Sequence, residues 1–332
     1  MTPRVSVVLP VRDGGRFLKE AVSSILGQSL TELELLLVDD HSNDGAVSAL
    51  QGRDPRLRVL DSRGRGVSAA FNTGLAAAGG GFVARMDADD IANADRLEKQ
   101  LRYLDLHPEI AICGACVEIF SDTGVGGGNA RYQSWLNACR TPGQIQRELF
   151  IESPIPNPTA FFRREAIERL GGYGDPDWPE DYDLYLRADA LGLKMGKPDD
   201  VLLRWRDHGG RLTRTDPRYA LERFQAAKAR FLARGRVPPG AQVLIWGAGP
   251  TGRLMHDLLR KEGVDIRGFL EVHPRRIGGE KRGLPVWHFE QLAEFGDAFV
   301  LVAVGAVGAR DKIRGYMRRI GREEGADYLF VA

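Results

Sequence analysis

The chain has 332 residues, 43% of them hydrophobic and 27% charged, which gives apolar material for a sizeable core and a length that suits two domains. Lys and Arg number 46 against 45 Asp and Glu, so no net field marks a nucleic-acid-binding protein. No apolar run reaches membrane-spanning length and no signal-peptide core follows Met1-Thr2-Pro3-Arg4; the expected location is cytoplasmic, with peripheral contact to a membrane surface left open.

In chain order, residues 4–9 read as a buried strand closed by Pro10. A helix is expected over about residues 16–28, with Phe17, Leu18, Val22, Ile25 and Leu26 on one face. Residues 34–38 form the next strand, ending in Asp39-Asp40 ahead of the turn-rich His41-Ser42-Asn43-Asp44-Gly45. A third strand, residues 57–60, precedes Ser62-Arg63-Gly64-Arg65-Gly66 and a helix over 67–78. Alternating strands and helices imply a mostly parallel, doubly wound α/β sheet. At a strand's carboxyl end, Asp40 suits a hydrogen bond from a base or ribose; the competing reading is a turn acid satisfied by the backbone at Ser42 or Asn43. The Gly64/Gly66 loop lacks the G-x-x-x-x-G-K-[ST] pattern of a P-loop, and its glycines let the chain pass close to a nucleotide.

The stretch Phe82-Val83-Ala84-Arg85-Met86-Asp87-Ala88-Asp89-Asp90-Ile91 passes from a strand to three carboxylates within four positions. Clustered carboxylates repel one another and stay ionised together only beside a cation. Their oxygens suit Mg²⁺ or Mn²⁺ held with substrate phosphates. The competing reading is Asp89 or Asp90 capping a helix that begins near Asn93. Cys113 and Cys116 form a C-x-x-C within an apolar run, and only Cys139 remains elsewhere. A four-thiolate site is therefore excluded, and plain core thiols are expected. Residues 123–128, Thr-Gly-Val-Gly-Gly-Gly, read as a flexible turn between strands, and Thr141-Pro142 as the start of an amphipathic helix.

Further on lie Pro156-Asn157-Pro158-Thr159-Ala160-Phe161-Phe162-Arg163-Arg164-Glu165, Gly171-Gly172-Tyr173 and Trp178-Pro179-Glu180-Asp181-Tyr182-Asp183-Leu184-Tyr185-Leu186-Arg187. Taken with Val5–Val11, Leu36-Leu37-Val38-Asp39-Asp40-His41-Ser42-Asn43-Asp44-Gly45, Asn72-Thr73-Gly74-Leu75-Ala76, Met86-Asp87-Ala88-Asp89-Asp90-Ile91 and Arg96-Leu97-Glu98-Lys99-Gln100, these segments resemble the inverting glycosyltransferases of family 2, which have the GT-A fold. The resemblance implies that Pro10, Val11, Arg12 and Asp40 hold the base end of a nucleotide sugar, with Gly66, Asn72, Ala88 and Arg206 as further donor contacts. It implies that Asp87 and Asp89 form the D-x-D of a metal site, Asp89 ligating directly, and that His208 of Arg204-Trp205-Arg206-Asp207-His208 completes the shell. Attack by a sugar hydroxyl needs a base to take its proton; the resemblance puts that base at Asp181, with Glu180 beside it. The competing reading for this acidic trio is favourable charge at a helix N-terminus. Where many relatives carry Arg before the Asn of the third motif, this chain has Phe71.

Residues 216–234 read as a basic amphipathic helix, taken as a packed surface helix rather than a lipid-binding one, and Gly235-Arg236-Val237-Pro238-Pro239-Gly240 as the linker. The expected domains are 1–215, a connecting 216–240, and 241–332. In the last of these, a strand runs into Gly247-Ala248-Gly249-Pro250-Thr251-Gly252, and a second strand ends in Glu271. This is a G-x-G-x-x-G turn in a βαβ setting, where Gly247, Gly249, Gly252 and Glu271 suit a nucleotide. Two more strands are expected over 298–304 and 327–331. Glu271-Val272-His273-Pro274, Gly283-Leu284-Pro285-Val286 and Val302-Ala303-Val304-Gly305 resemble the small N-terminal Rossmann-like domain of sialic-acid-type sugar O-acyltransferases. A nucleotide, a nucleotide sugar, NAD or no ligand at all stay open there. The whole reads as a metal-dependent transferase using a nucleotide-sugar donor, a UDP-sugar first, and a saccharide or lipid-linked acceptor in glycan synthesis. The alternatives are an NAD-dependent sugar oxidoreductase, against which no Tyr-x-x-x-Lys set follows the turn, and a non-catalytic nucleotide-sugar-binding protein, against which stand Asp87, Asp89 and Asp181.

Overall fold

The computed structural model describes residues 2–332 apart from Thr123 and Val125, so part of the turn expected over 123–128 lies outside the described residues. The chain divides into two compact units, one built from the chain up to Ile145 with Pro154–Asp216, the other from Gln146–Ser153 with Pro217–Ala332.

The first unit holds strands β1 (Val5–Val11), β2 (Leu33–Asp39), β3 (Leu57–Asp61), β4 (Phe82–Arg85), β5 (Ile91–Ala92), β6 (Ile110–Cys113), β7 (Cys116–Phe120), β8 (Phe161–Arg163), β9 (Lys194–Gly196) and β10 (Val201–Arg206). Seven form one sheet in the order β3-β2-β1-β4-β8-β6-β9. The first four run parallel, and β8 is antiparallel to both its neighbours. Apolar residues fill β1 and β2 on both faces because helices cover the sheet on each side; Val7, Leu9, Leu35 and Leu37 are fully buried, each worth roughly 1.5–3 kcal/mol on transfer from water.

Strand β1 does not stop at Pro10. It continues to Val11, because beyond Val8 it pairs with β2 alone, and a proline without an N–H is tolerated where one side of the strand has no partner. The parallel run puts the carboxyl ends of β1, β2 and β4 on one edge, so Asp40 and residues 87–90 leave the sheet together. A small second sheet, β5-β10-β7, then carries residues 206–208 back beside that edge. The apolar run through Cys113 and Cys116 is two strands, not one: Gly114 and Ala115 break it, and β6 and β7 belong to different sheets. All three cysteines are buried and free.

In the second unit, β11 (Val243–Trp246), β12 (Ile266–Glu271), β13 (Glu280–Lys281), β14 (Leu284–His288), β15 (Phe299–Val302) and β16 (Tyr328–Phe330) make one sheet. Its order is β13-β14-β12-β11-β15-β16, parallel except for β13. The five parallel strands thus follow the 3-2-1-4-5 pattern of a Rossmann-type sheet, with the order reversing at β11. Strand β14 escapes a periodicity reading because exposed Pro285 and the half-buried Leu284, Trp287 and His288 interrupt its alternation. The helix expected over 216–234 is broken: Leu221–Phe231 is α-helical, and Asp216 is extended ahead of a single turn at Pro217–Tyr219, as a residue before proline prefers.

Candidate active site

On the donor side, the Asp40 N–H donates to the Val11 carbonyl at 2.8 Å. Its carboxylate accepts the Gly66 N–H through Oδ2 at 2.9 Å, while the buried Oδ1 has no hydrogen-bond partner. Gly66 holds φ at +90°, a conformation natural to glycine alone. The orphaned oxygen is an acceptor waiting for a donor such as a base N–H. Pro10 and Val11 are buried at the end of β1, and Arg12 is exposed beyond them. Asn72 is placed differently: its Nδ2 donates to the Tyr173 carbonyl at 2.8 Å and its Oδ1 accepts the Tyr173 N–H at 2.9 Å. Both ends of the amide are therefore engaged with the chain itself.

Asp87, Asp89 and Asp90 offer carboxylate oxygens that all lie within 4.8 Å of one another. Asp87 Oδ1 accepts Arg85 Nε at 3.0 Å and Nη2 at 2.9 Å. Asp89 Oδ2 meets His208 Nε2 at 2.8 Å. Asp90 is buried, its Oδ1 accepting the Arg206 N–H at 2.8 Å and its Oδ2 without a partner. Burial, then the charges of Asp89 and Asp87, push its carboxyl well above the usual range. A hard-oxygen cluster with an unsatisfied oxygen and mutual repulsion fits Mg²⁺ or Mn²⁺, which would relieve both. Ala88 is half-buried between the ligand candidates.

Arg206 faces away from solvent. Its guanidinium lies over Phe17 at 4.4 Å and Phe120 at 4.5 Å. Its Nε donates to the Asp89 carbonyl at 2.8 Å, and its Nη2 pairs with Glu20 at 2.5 Å. The side chain expected at a diphosphate thus clamps the backbone of the acidic turn.

On the opposite side, helix Glu180–Ala190 begins with Glu180, Asp181 and Asp183 in its first turn. Asp183 is engaged elsewhere, bonded to Arg187 at 2.6 Å and to Trp178 Nε1 at 3.0 Å. Glu180 is buried, and its Oε1 accepts Asn157 Nδ2 at 3.4 Å; Asn157 Oδ1 in turn accepts the Tyr173 hydroxyl at 2.5 Å. Asp181 is half-buried, its Oδ1 accepting the Tyr182 N–H at 2.7 Å. Desolvation, then the neighbouring Glu180, push its carboxyl up to about 8, with Asp87 adding to the rise and Arg85 opposing it. Asp181 and Asp87 therefore lie within electrostatic reach of each other. Arg85, Tyr173 and Asn157 had no assigned role in the sequence reading, and Asp90 figured there only as the third acid of the cluster or as a helix cap. The signal for Arg85 was a cation at an otherwise apolar strand position two residues before the first acid.

In the second unit, the glycine turn sits at the end of β11. A Cβ on Gly252 would collide with the Gly247 carbonyl, so helix Pro250–Lys261 packs close to the strand only through that glycine. Glu271 accepts the N–H groups of Ala248, Val272 and His273 and Nη1 of Arg276 at 2.9 Å. Burial opposes its charge, but the Arg276 guanidinium and the three N–H groups outweigh it and hold the carboxyl below the usual range. Its oxygens staple the turn to the end of β12. Gly249, at the mouth of the turn, has only Arg276 nearby.

Among known proteins, a putative glycosyltransferase, EpsE, of Bacillus subtilis is 28% identical over 66% of this chain and 79% of its own length. A UDP-Gal:alpha-D-GlcNAc-diphosphoundecaprenol beta-1,3-galactosyltransferase of Escherichia coli is 27% identical over 62% of this chain and 74% of its own. The solved structure of Staphylococcus aureus TarS 1-349 in complex with UDP-GlcNAc superposes with a TM-score of 0.58 at 17% identity, covering 79% of this chain and 73% of that one, a likeness of fold that agrees with the mixed, parallel-rich sheet of the GT-A class. The family model for glycosyl transferase family 2 matches residues 6–171, the span that holds Asp40, Asn72 and the acidic cluster, and the chain belongs to that family of glycosyltransferases.

Proposed function

We propose that this enzyme is a divalent-metal-dependent inverting transferase that moves a sugar from a nucleotide diphosphate, a UDP-sugar in the first instance, to an acceptor hydroxyl. The reading rests chiefly on one observation: Asp181, a carboxyl pushed up to about 8, lies within electrostatic reach of the Asp87-Asp89-Asp90 cluster. Asp40 Oδ1 would take a base N–H, with Val11 and Pro10 flanking the ring. Asp89, with Asp87, Asp90 and His208 around it, would hold Mn²⁺ or Mg²⁺, which when bound neutralises the diphosphate and stabilises it as a leaving group. Asp181 would take the acceptor proton as the hydroxyl attacks, and a base titrating near working pH suits that task. Glu180, ordered through Asn157 and Tyr173, keeps Asp181 from ionising early. Among the described residues no helix is long and apolar enough to cross a membrane; a lipid-linked acceptor, like the one in the Escherichia coli relative's name, would then be met at the membrane surface. For the second unit we retain a nucleotide or nucleotide sugar at Gly247–Gly252, with NAD as the competing ligand.

A thermal-shift panel tests the donor site: UDP with Mn²⁺ should raise the melting temperature, and chelation with EDTA should abolish that rise. NADH acting without metal would point to the second unit instead. Nucleotide release then tests turnover. Asp181→Asn should lose roughly 10²–10⁴-fold in kcat while UDP–Mn²⁺ binding survives. Retention of most turnover removes Asp181 as the base.

A further inference from the structure

The geometry points to Arg85 as a positioning residue that serves both halves of this site at once: it fixes Asp87 through two N–H groups and sets its positive charge against Asp181, so that the acidic cluster and the base are built around one buried guanidinium. This inference rests on the transferase reading above and deepens it. Arg85 ends β4 and is only 3% exposed. Its Nε and Nη2 both reach Asp87 Oδ1, at 3.0 and 2.9 Å. Its guanidinium lies 5.3 Å from the Tyr173 ring centroid and 5.7 Å from that of Phe71. Those two rings stand edge-on at 4.6 Å, and Arg96, itself buried, holds the Arg85 carbonyl at 2.7 Å. The cation is thereby aimed by its surroundings rather than free to swing.

Tyr173 carries the connection across the site. Its ring receives the guanidinium, its hydroxyl donates to Asn157, and Asn157 donates to Glu180 beside Asp181. The charged and titratable groups facing Asp181 are Glu180 on its own helix, Arg85 and Asp87 at the end of β4, and the phenols of Tyr173 and Tyr185. Among the described residues that set holds one cation, Arg85, and Asp87 and Glu180 both oppose ionisation of the base. Phe71 completes the arrangement: its buried ring forms a wall for a cation supplied from the next strand.

The test reads Asp181 directly in the metal-free, full-length chain. The carboxyl carbons of ¹³C-labelled aspartates are titrated by NMR, with Asp181 assigned by the resonance lost in Asp181→Asn. Arg85→Met should move the Asp181 midpoint to higher pH by about one unit, equal to about a tenfold smaller ionised fraction at pH 7. Arg85→Lys, which keeps the charge but not the two-pronged grip, should hold the midpoint near wild type. In nucleotide-release assays it should lower kcat several-fold with donor KM within about twofold, the pattern of a loss felt only in the transition state. An unmoved midpoint in a folded Arg85→Met, or in a folded Arg85→Gln where the Met variant does not fold, overturns the inference. A midpoint that moves in a chain that releases no nucleotide from any donor would sink the transferase reading and leave the coupling standing.

Discussion

Asp181 makes opposite demands on stability and on turnover. Its carboxyl is pushed up to about 8 by desolvation and by Glu180, so the folded chain holds this proton over a range where the unfolded chain has released it. An acid with a raised pKa contributes stability that is complete below its unfolded value, near 3.8, and is lost as the pH climbs towards about 8. Asp181→Asn removes that dependence, because the amide Oδ1 still accepts the Tyr182 N–H and no charge has to be buried. The variant should therefore be more stable than wild type at pH 8, by roughly 1–3 kcal/mol, and equal to it near pH 4, as read by urea unfolding at the two values. Turnover runs the other way: only the ionised form takes a proton, so kcat of the wild type should climb about tenfold per unit below pH 8. A flat profile between pH 6 and 8 would place the base elsewhere. The gain in stability with loss of function is the trade expected where a site holds a group at a cost to the fold.

The elements that seat these residues were partly written in the sequence. Continuous Val and Leu in β1 and β2 marked buried parallel strands, and the acids at strand ends marked the ligand edge of the sheet. Asp40, Asp87 and Asp89 stood out for that reason, because a carboxylate after an apolar strand has few structural uses; Asp181, in the first turn of a helix, stood out only through the family resemblance. What Asn72 and Arg206 do was not legible, since a polar side chain in a motif looks the same whether it meets a ligand or another loop. In the fold, Asn72 bonds to the backbone of Tyr173, 101 residues away, and Arg206 to the acidic turn, 117 away. Asn72→Ala tests the distinction. Losing both hydrogen bonds should cost about 1–3 kcal/mol and lower kcat by loosening Tyr173, with donor KM within about twofold. A tenfold rise in donor KM at unchanged kcat would return Asn72 to the donor site.

At the scale of the whole molecule, the chain does not divide at one cut. Residues 146–153, far from the second unit in sequence, belong to it. Ile151 is 7% exposed in the same core as Leu244, Trp246, Leu270 and Phe330. Lys228 Nζ, its ammonium pushed down to about 8 by burial, donates to the Ile151 carbonyl at 2.6 Å. Glu148 pairs with Arg314 at 2.9 Å, and Arg314 also meets Glu324 at 2.9 Å. No composition shift announced this excursion, because a short segment whose buried apolar residues are Leu149, Phe150 and Ile151 reads like any stretch of one domain's core. Two consequences have opposite signs. In the full chain, Ile151→Ala should destabilise the second unit by about 2–4 kcal/mol, the transfer loss plus the cavity, and Ile151→Ser by more. In a chain ending at Asp216, Ile151 has lost the core it packs in, so the truncated protein should aggregate on heating and melt below the full chain, and Ile151→Ser should now improve its solubility by removing an exposed apolar anchor. Light scattering during thermal melts of the five proteins reads both effects. A truncated chain that stays soluble and is indifferent to Ile151→Ser would mean that the excursion contributes nothing to holding the chain together.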